Sequence, residues 1–372
     1  MTSTLTQTPL FDWHVSRGAK MVDFAGWSMP VQYTSIIAEH NATRQGVGLF
    51  DISHMGRLLF TYADAAQFVD SLLTRKIVHL PLGKIRYGLI TNEQGGILDD
   101  VLVYHLTRFG DIRGPCYLMV VNAGNREKIV AWIESHLAGS DVQFMDRTAS
   151  TVMIAVQGPR AIGLLDPLVD ADLAGMKYYT GSQASIGGKW CILSRTGYTG
   201  EDGCELIVAA DDALAVWELL MDAGQAADIT PAGLGCRDTL RLEAAMPLYG
   251  HELSEEINPM QAGLGFAVNT KAHQFIGREA ILQFQQDENL PRRIGLELSG
   301  RRVPRQHYPI LFGGEVVGEV TSGTFSPTFE KPIAMGYVRP DCAELGTELA
   351  VDIRGRQEPA RVVKLPFYSR PS

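Results

Sequence analysis

Two adjacent glycines, Gly95 and Gly96, separate two short apolar runs, Tyr87–Thr91 and Ile97–Leu106. A glycine pair between such runs closes a tight turn, so the runs are expected to pair as antiparallel strands. Hairpin connections of this kind dominate the chain. They restrict it to antiparallel or mixed sheets, because parallel strands need long crossovers between them.

Helical patterns are interleaved with these strands. Thr34 to Gly46 reads as a helix that Thr34 or Ser35 can cap and Gly46 can end. Arg57–Tyr62 follows as a strand and Ala65–Leu73 as an amphipathic helix with Asp64 as its candidate cap. Tyr117–Val121 is a further strand and Arg126–Leu137 a helix. A similar order recurs downstream: strand Val152–Val156, short helix Pro159–Leu165, strands Trp190–Ser194 and Cys204–Val208, then helix Ala213–Ala223. Helices Gly233–Ala245 and Gly277–Phe284 come next. The expected class is α+β and multi-lobed, with two related α+β units on mixed or antiparallel sheets.

The polar stretch Asp287–Pro291 marks a boundary. Beyond it lie six short apolar runs punctuated by Gly and Pro: Ile294–Leu298, Pro309–Phe312, Glu315–Thr321, Ala334–Val338, Glu348–Ile353 and Ala360–Lys364. This pattern predicts a small all-β barrel or sandwich. The expected organisation is a 1–285 region in two lobes (1–50 with 140–285, and 51–139), followed by a 286–372 β-barrel domain.

Composition narrows the function. The chain has 372 residues and a formal net charge of −9, and no basic run is long enough to track a phosphate backbone. Nucleic acid is therefore not an expected partner. No apolar stretch approaches the ~20 residues needed to cross a bilayer, so no membrane is expected either. The five cysteines are odd in number and widely spaced, without a C-x-x-C pair, which suits a reducing compartment. The nine histidines never form H-x-x-x-H, so no metal site is expected. Met1–Leu10 contains no Arg and no apolar core, unlike a secretory or transit segment, and the simplest location is cytoplasmic.

Three segments are costly to fold unless they serve a purpose. Asp99 and Asp100 sit side by side in the apolar strand Ile97-Leu-Asp-Asp-Val-Leu-Val-Tyr104. Neighbours on a strand face opposite sides, so Asp100 joins Leu98, Leu102 and Tyr104 while Asp99 joins Ile97, Val101 and Val103. Burying either carboxylate without partners costs several kcal/mol. Backbone N–H groups of the nearby turn could satisfy both, or at least one is functional.

Arg195-Thr-Gly-Tyr-Thr-Gly-Glu-Asp-Gly-Cys-Glu205 is the second segment. Its G-x-x-G-x-x-G spacing leads into a strand, unlike a nucleotide loop, which precedes a helix. It reads either as a hairpin presenting Tyr198 and Glu205 to a ligand or as a plain glycine hairpin. In the third, helix Gly233–Ala245 carries Arg237 and Arg241 on one face. A helix this apolar is buried, so its arginines need a ligand or a structural ion-pair network. In Asp51-Ile-Ser-His-Met55, His54 reads as a satisfied structural histidine rather than a base. Met55 reads as a packing residue that could line a pocket wall.

Taken together these stretches resemble one family, the T-proteins of the glycine cleavage system. Lys20-Met-Val-Asp-Phe-Ala-Gly-Trp-Ser-Met-Pro-Val-Gln-Tyr33 resembles its N-terminal signature. The likeness continues through Gly48-Leu-Phe-Asp-Ile-Ser-His-Met-Gly56, Gly95-Gly-Ile-Leu-Asp-Asp100 and Val120-Val-Asn-Ala123. It extends to Thr196-Gly-Tyr-Thr-Gly-Glu201, Gly233-Leu-Gly-Cys-Arg-Asp-Thr-Leu-Arg-Leu-Glu243 and Val320-Thr-Ser-Gly323, in order and at full length.

The resemblance implies an aminomethyltransferase with tetrahydrofolate as cosubstrate and a lipoyl-bearing H-protein as partner. It also implies a three-lobed fold with the barrel as third lobe. Asp100 matches the family's essential acid and Glu205 the acid that holds the pterin edge. Tyr87, Tyr104, Asn122, Tyr198 and Arg237 match pocket positions, and Met55 and Leu102 match apolar wall positions. The family's usual Ala before that Arg is Cys236 here, and its common Asn after Tyr-Gly is His251. Arg292, Arg293, Arg301 and Arg302 are candidates to meet an acidic partner.

The nearest alternative is a folate-dependent demethylase acting on a small sulfonium or amine. A folate-binding iron–sulfur assembly factor would carry a K-G-C-[FY]-x-G-Q-E stretch that this chain lacks.

Overall fold

The computed structural model describes residues 4–271 and 273–371. The Gly95–Gly96 turn forms as its glycines predict, between strands Ile85–Thr91 and Ile97–Phe109. Gly95 takes φ +80°, a conformation that side chains with a Cβ avoid. Asn92 ties the turn: its carbonyl accepts from the Gly95 N–H at 3.0 Å and its side-chain oxygen from the Gly96 N–H at 2.9 Å.

The chain divides into two compact units. One comprises residues up to Gly88, Asp100–Gly197 and Glu201–Arg237; the other comprises Leu89–Asp99, Tyr198–Gly200 and Asp238 onward.

The first unit holds a six-stranded sheet in the order Gly181–Ile186, Lys189–Ser194, Gly203–Ala209, Thr151–Gln157, Val47–Asp51, Ile229–Pro231. Only the last pair is parallel. Alternation along these strands sends Leu49, Val152, Ile154, Val156, Cys204, Leu206 and Val208 to one face. There they pack with Val216, Trp217 and Leu220 of helix Ala213–Ala223. Trp13 closes this core, its ring centroid 5.1 Å from that of Trp217. Each fully buried Leu, Ile or Val contributes about 2 kcal/mol, so this layer anchors the unit. The other face of the sheet carries Glu205 and its cross-strand partners Ser194 and Ala155.

A second sheet runs Ile85–Thr91, Ile97–Phe109, Ile112–Val121, Gly56–Thr61, Gln143–Asp146. Its central pairings are antiparallel, with Leu102 opposite Val120 and Gly56 opposite Val121. A small three-stranded sheet combines Thr6–Gln7, Trp27–Gln32 and Lys20–Phe24.

In the second unit, strands Arg292–Leu298, Lys331–Val338, Glu315–Ser326, Pro309–Phe312, Glu348–Asp352 and Gln357–Val363 close into a barrel, all pairs antiparallel. Leu296, Ile310, Val320, Val338 and Val351 fill it, each fully buried. Closure removes free sheet edges, which is how short strands at this spacing avoid pairing with other chains.

Most expected elements stand within two residues of their predicted ends, with some departures. Ser35 rather than Thr34 caps helix Ile36–Gln45, accepting from the Ala38 N–H at 3.2 Å. Asp64 precedes helix Ala65–Leu72 without capping it, because its carboxylate accepts from the Asp141 N–H at 2.8 Å instead. The short strands Lys20–Phe24, Val47–Asp51 and Gln143–Asp146 carry no clear alternation in sequence and emerge only through their partners.

Candidate functional site

Strand Ile97–Phe109 resolves the ambiguity of its two acids. Ile97, Asp99, Val101 and Val103 are all buried, with Asp99 0% exposed, whereas Asp100 and Leu102 on the alternate face are partly open. Tyr87 donates to Asp100 Oδ2 at 3.2 Å and Asn122 Nδ2 donates to Oδ1 at 2.8 Å. Asn122 reaches this point because it ends the neighbouring strand Ile112–Val121. Burial pushes the Asp100 carboxyl up to about 6, against the lowering effect of its bonds to Asn122 and Tyr87. The group is thus ionised at neutral pH but poorly solvated. Three residues named from sequence, Tyr87, Asp100 and Asn122, form one cluster.

Glu205 lies on strand Gly203–Ala209, on the face opposite the apolar core, and is 5% exposed. Gly203 enters that strand at φ +154°, with its α-carbon beside the Val156 carbonyl, a position open only to glycine. Thr196 donates to Glu205 Oε2 at 2.5 Å. Thr196 Oγ1 is 2.8 Å from Ser194 Oγ, which is 3.3 Å from the Tyr104 hydroxyl. Among the described residues Glu205 Oε1 accepts no hydrogen bond. Burial raises the Glu205 pKa, while Thr196 and the Arg237 guanidinium oppose the shift. Tyr104, fully buried on the same strand as Asp100, thereby joins the second acid.

Tyr179 connects the two neighbourhoods electrostatically. Its hydroxyl is raised by burial and by the charges of both Glu205 and Asp100, with Arg75 opposing. Its backbone, at φ +58°, is clamped by the Tyr179 N–H to Arg195 C=O bond at 2.9 Å and by the Ile85 N–H at 3.0 Å.

The Ile52–Met55 turn is held from beneath. Asp51 accepts from Thr8 at 2.7 Å, from His14 at 2.9 Å and from the Ser53 N–H at 2.9 Å. The fully buried Arg57 donates to the carbonyls of Ser53 at 2.6 Å, Thr151 at 2.7 Å and also Met55. Met55 is partly open. His54 is not the satisfied histidine expected from sequence. Its Nδ1 is buried and meets no partner among the described residues, and its ring packs edge-on against Phe24 at 5.2 Å. Burial and the Arg237 charge, with Arg57 adding, hold it down at about 3, so it stays neutral.

The two arginines of helix Leu234–Glu243 separate. Arg241 is 1% exposed and belongs to a structural network, donating to Asp238 at 2.8 Å, Glu252 at 2.9 Å and Ser322 at 2.7 Å. Arg237 remains partly open, and its charge acts on Glu205 and His54. Tyr198 donates to the Pro247 carbonyl at 2.5 Å, so its hydroxyl is already engaged. Sequence reasoning missed Thr196, Ser194 and Tyr179. The available signal was a hydroxyl residue on each side of Arg195, at the mouth of a hairpin whose second strand carries an acid.

Two buried or half-buried carboxylates, both coupled electrostatically to one tyrosine, suit recognition of N–H donors and stabilisation of positive charge. Comparison with known proteins agrees in extent. The GCVT N-terminal domain model matches residues 10–272, and the glycine cleavage T-protein C-terminal barrel domain model matches 292–369. An aminomethyltransferase of Symbiobacterium thermophilum is 44% identical over 378 residues, covering 100% of this chain and 99% of that protein. One of Streptomyces coelicolor is 47% identical over 376 residues and covers 100% of both. The crystal structure of the glycine cleavage system aminomethyltransferase T from Bartonella henselae is similar at a TM-score of 0.89, with 33% identity and 98% of each chain covered.

Proposed function

The chain belongs to the glycine cleavage T-protein family of aminomethyltransferases, and from that premise we propose that it uses tetrahydrofolate and a lipoyl-bearing H-protein. The one-carbon unit of the aminomethyl group on the lipoyl sulfur passes to folate. The products are methylenetetrahydrofolate, ammonia and the dihydrolipoyl arm.

The observation that carries this reading is the half-engaged carboxylate of Glu205. Thr196 occupies Oε2, and Oε1 accepts nothing from the described residues. A pterin presents adjacent N–H donors, which suit a carboxylate with free acceptor capacity. Arg237 supplies compensating charge for Glu205 in this reading. Tyr87, Tyr104, Met55 and Leu102 supply aromatic and apolar wall, and Tyr198 is included on its motif alone.

Tetrahydrofolate contributes nucleophilic nitrogens that accept the carbon. Asp100 orients the acceptor and stabilises positive charge that develops as the C–S bond breaks, with Asn122 and Tyr87 holding its two oxygens. Prearranged electrostatic groups of this kind contribute about 3 kcal/mol to a barrier. We place the enzyme in the cytoplasm, in keeping with five cysteines that are all buried thiols outside any disulfide.

The deciding experiment is ammonia release from aminomethylated H-protein with and without tetrahydrofolate. Strong stimulation by folate is expected. Tetrahydrofolate binding without stimulated release would overturn the aminomethyl reaction and favour demethylation of a small donor.

A further inference from the structure

Glu205 would be free to rotate about its side-chain torsions if burial alone held it. We propose that Thr196 is the positioning residue for Glu205: its hydroxyl, anchored through Ser194 to Tyr104, ties down one carboxylate oxygen and aims the other at the ligand. The proposal rests on the reading that Glu205 meets the pterin.

Hydrogen-bond chemistry gives the chain a direction. An ionised carboxylate only accepts, so Thr196 must spend its single proton on Oε2, at 2.5 Å. Its oxygen is then left to accept from Ser194, 2.8 Å away. Ser194 Oγ also lies 3.2 Å from the Glu205 backbone carbonyl, a second acceptor that shares the one Ser194 proton with Thr196 in a bifurcated bond. Tyr104 completes the series by donating to Ser194 at 3.3 Å. Burial and the Glu205 charge raise the Tyr104 pKa, which keeps this hydroxyl a donor throughout the working range.

All four side chains are nearly inaccessible: Tyr104 0%, Ser194 2%, Thr196 2% and Glu205 5% exposed. In such surroundings each hydrogen bond polarises the next, and a missing one is not replaced by bulk water. Thr196 stands outside the regular strands, in the loop between Lys189–Ser194 and Gly203–Ala209. Its backbone is secured by Gln157, whose Nε2 donates to the Thr196 and Cys204 carbonyls, each at 3.1 Å. One residue thus pins both the loop and the strand of the acid.

Among the described residues the titratable groups whose charges couple to Glu205 are Arg237, Tyr104, Tyr179 and the adjacent Cys204. Of these, Arg237 carries positive charge and favours the ionised acid. Among the described residues Thr196 supplies the one side-chain hydrogen bond that does so. Without it Glu205 keeps its proton to higher pH, and a protonated oxygen offers the ligand one acceptor fewer.

The test is calorimetric binding of tetrahydrofolate between pH 5 and 9, for the wild type, Thr196→Val, Thr196→Ser and Glu205→Gln. Thr196→Val keeps the shape and removes the hydroxyl. It is expected to weaken binding about tenfold at pH 7.5 and to move the acid limb of the binding profile up by about one pH unit. Thr196→Ser should restore both, and Glu205→Gln should abolish that limb and bind weakly. If Thr196→Val binds like the wild type with an unmoved limb while Glu205→Gln binds weakly, the positioning role is overturned and the site reading stands. If Glu205→Gln binds normally, the site reading itself falls and this proposal with it. Should Thr196→Val not fold, Ser194→Ala removes the support behind it. About threefold weaker binding with a limb shifted the same way is then expected, and unmoved binding overturns the proposal.

Discussion

Asn122 grips Asp100 twice, donating from Nδ2 to the carboxylate at 2.8 Å and to the same residue's backbone carbonyl at 3.2 Å. Tyr87 holds the second carboxylate oxygen at 3.2 Å. The acid is therefore fixed in orientation before any ligand arrives, and its partners are neutral. Neutral donors leave the negative charge intact, as an electrostatic role requires.

Replacing Asp100 with Asn should lower turnover about 100-fold or more while leaving the circular dichroism unchanged. It should also raise Tm at pH 7.5. The folded state binds the Asp100 proton more tightly than the unfolded chain does, with a pKa of about 6 against 3.8. The ionised acid therefore costs stability above about pH 6, by up to ~3 kcal/mol, and this cost disappears below about pH 4. Thermal melts at pH 7.5 and pH 4 check it: the gap between variant and wild type should close at the lower pH. Near-normal turnover in the folded variant would remove Asp100 from the mechanism.

The same shift sets a pH dependence. The kcat/KM for aminomethylated H-protein should rise through about pH 6 and level off above it, as Asp100 ionises. Rate measurements from pH 5 to 8.5 with saturating folate test this, and an acid limb centred below pH 5 would point to a different group.

Arg241→Ala should destabilise the protein by about 3–5 kcal/mol, since it strands the fully buried Glu252 without its cation. Arg241 and Thr321 hold the Glu252 pKa below its ordinary range despite burial. Its contribution to stability is present above the unfolded carboxylate pKa and is lost as pH falls through the lower folded value. Urea denaturation at pH 7 should show the full loss in Arg241→Ala. The double variant Arg241→Met/Glu252→Leu should recover most of it.

All five thiols should resist a bulky disulfide reagent in the native protein and react together on unfolding. Each is buried, and burial pushes Cys116, Cys191 and Cys204 up to about 12, which leaves almost no thiolate at pH 8. Rapid modification of a single thiol in the native state would show that one of them is accessible.

Local patterns carried much of this protein. The Gly95–Gly96 hairpin, the run of short strands that closes into a barrel, and the two acids embedded in Ile97–Tyr104 were all legible in the residues. The turn and the individual strands depend on patterns within about a dozen residues: a turn that only glycine tolerates, or an alternation that one strand displays by itself.

The division of labour among similar residues was not legible. Asp99 and Asp100 share nearly identical apolar neighbours along the strand, yet one is fully buried and the other faces Tyr87 and Asn122. Arg237 and Arg241 occupy one helix face, yet Arg241 is taken up by Glu252 while the charge of Arg237 acts on Glu205 and His54. Glu205 depends on Thr196, Ser194 and Tyr104, the last 101 residues upstream. The sequence determined which charged groups lie among apolar residues, because spacing sets which side chains share a face. Only the tertiary structure decided which are neutralised and which stay open, because that depends on partners brought together from distant parts of the chain.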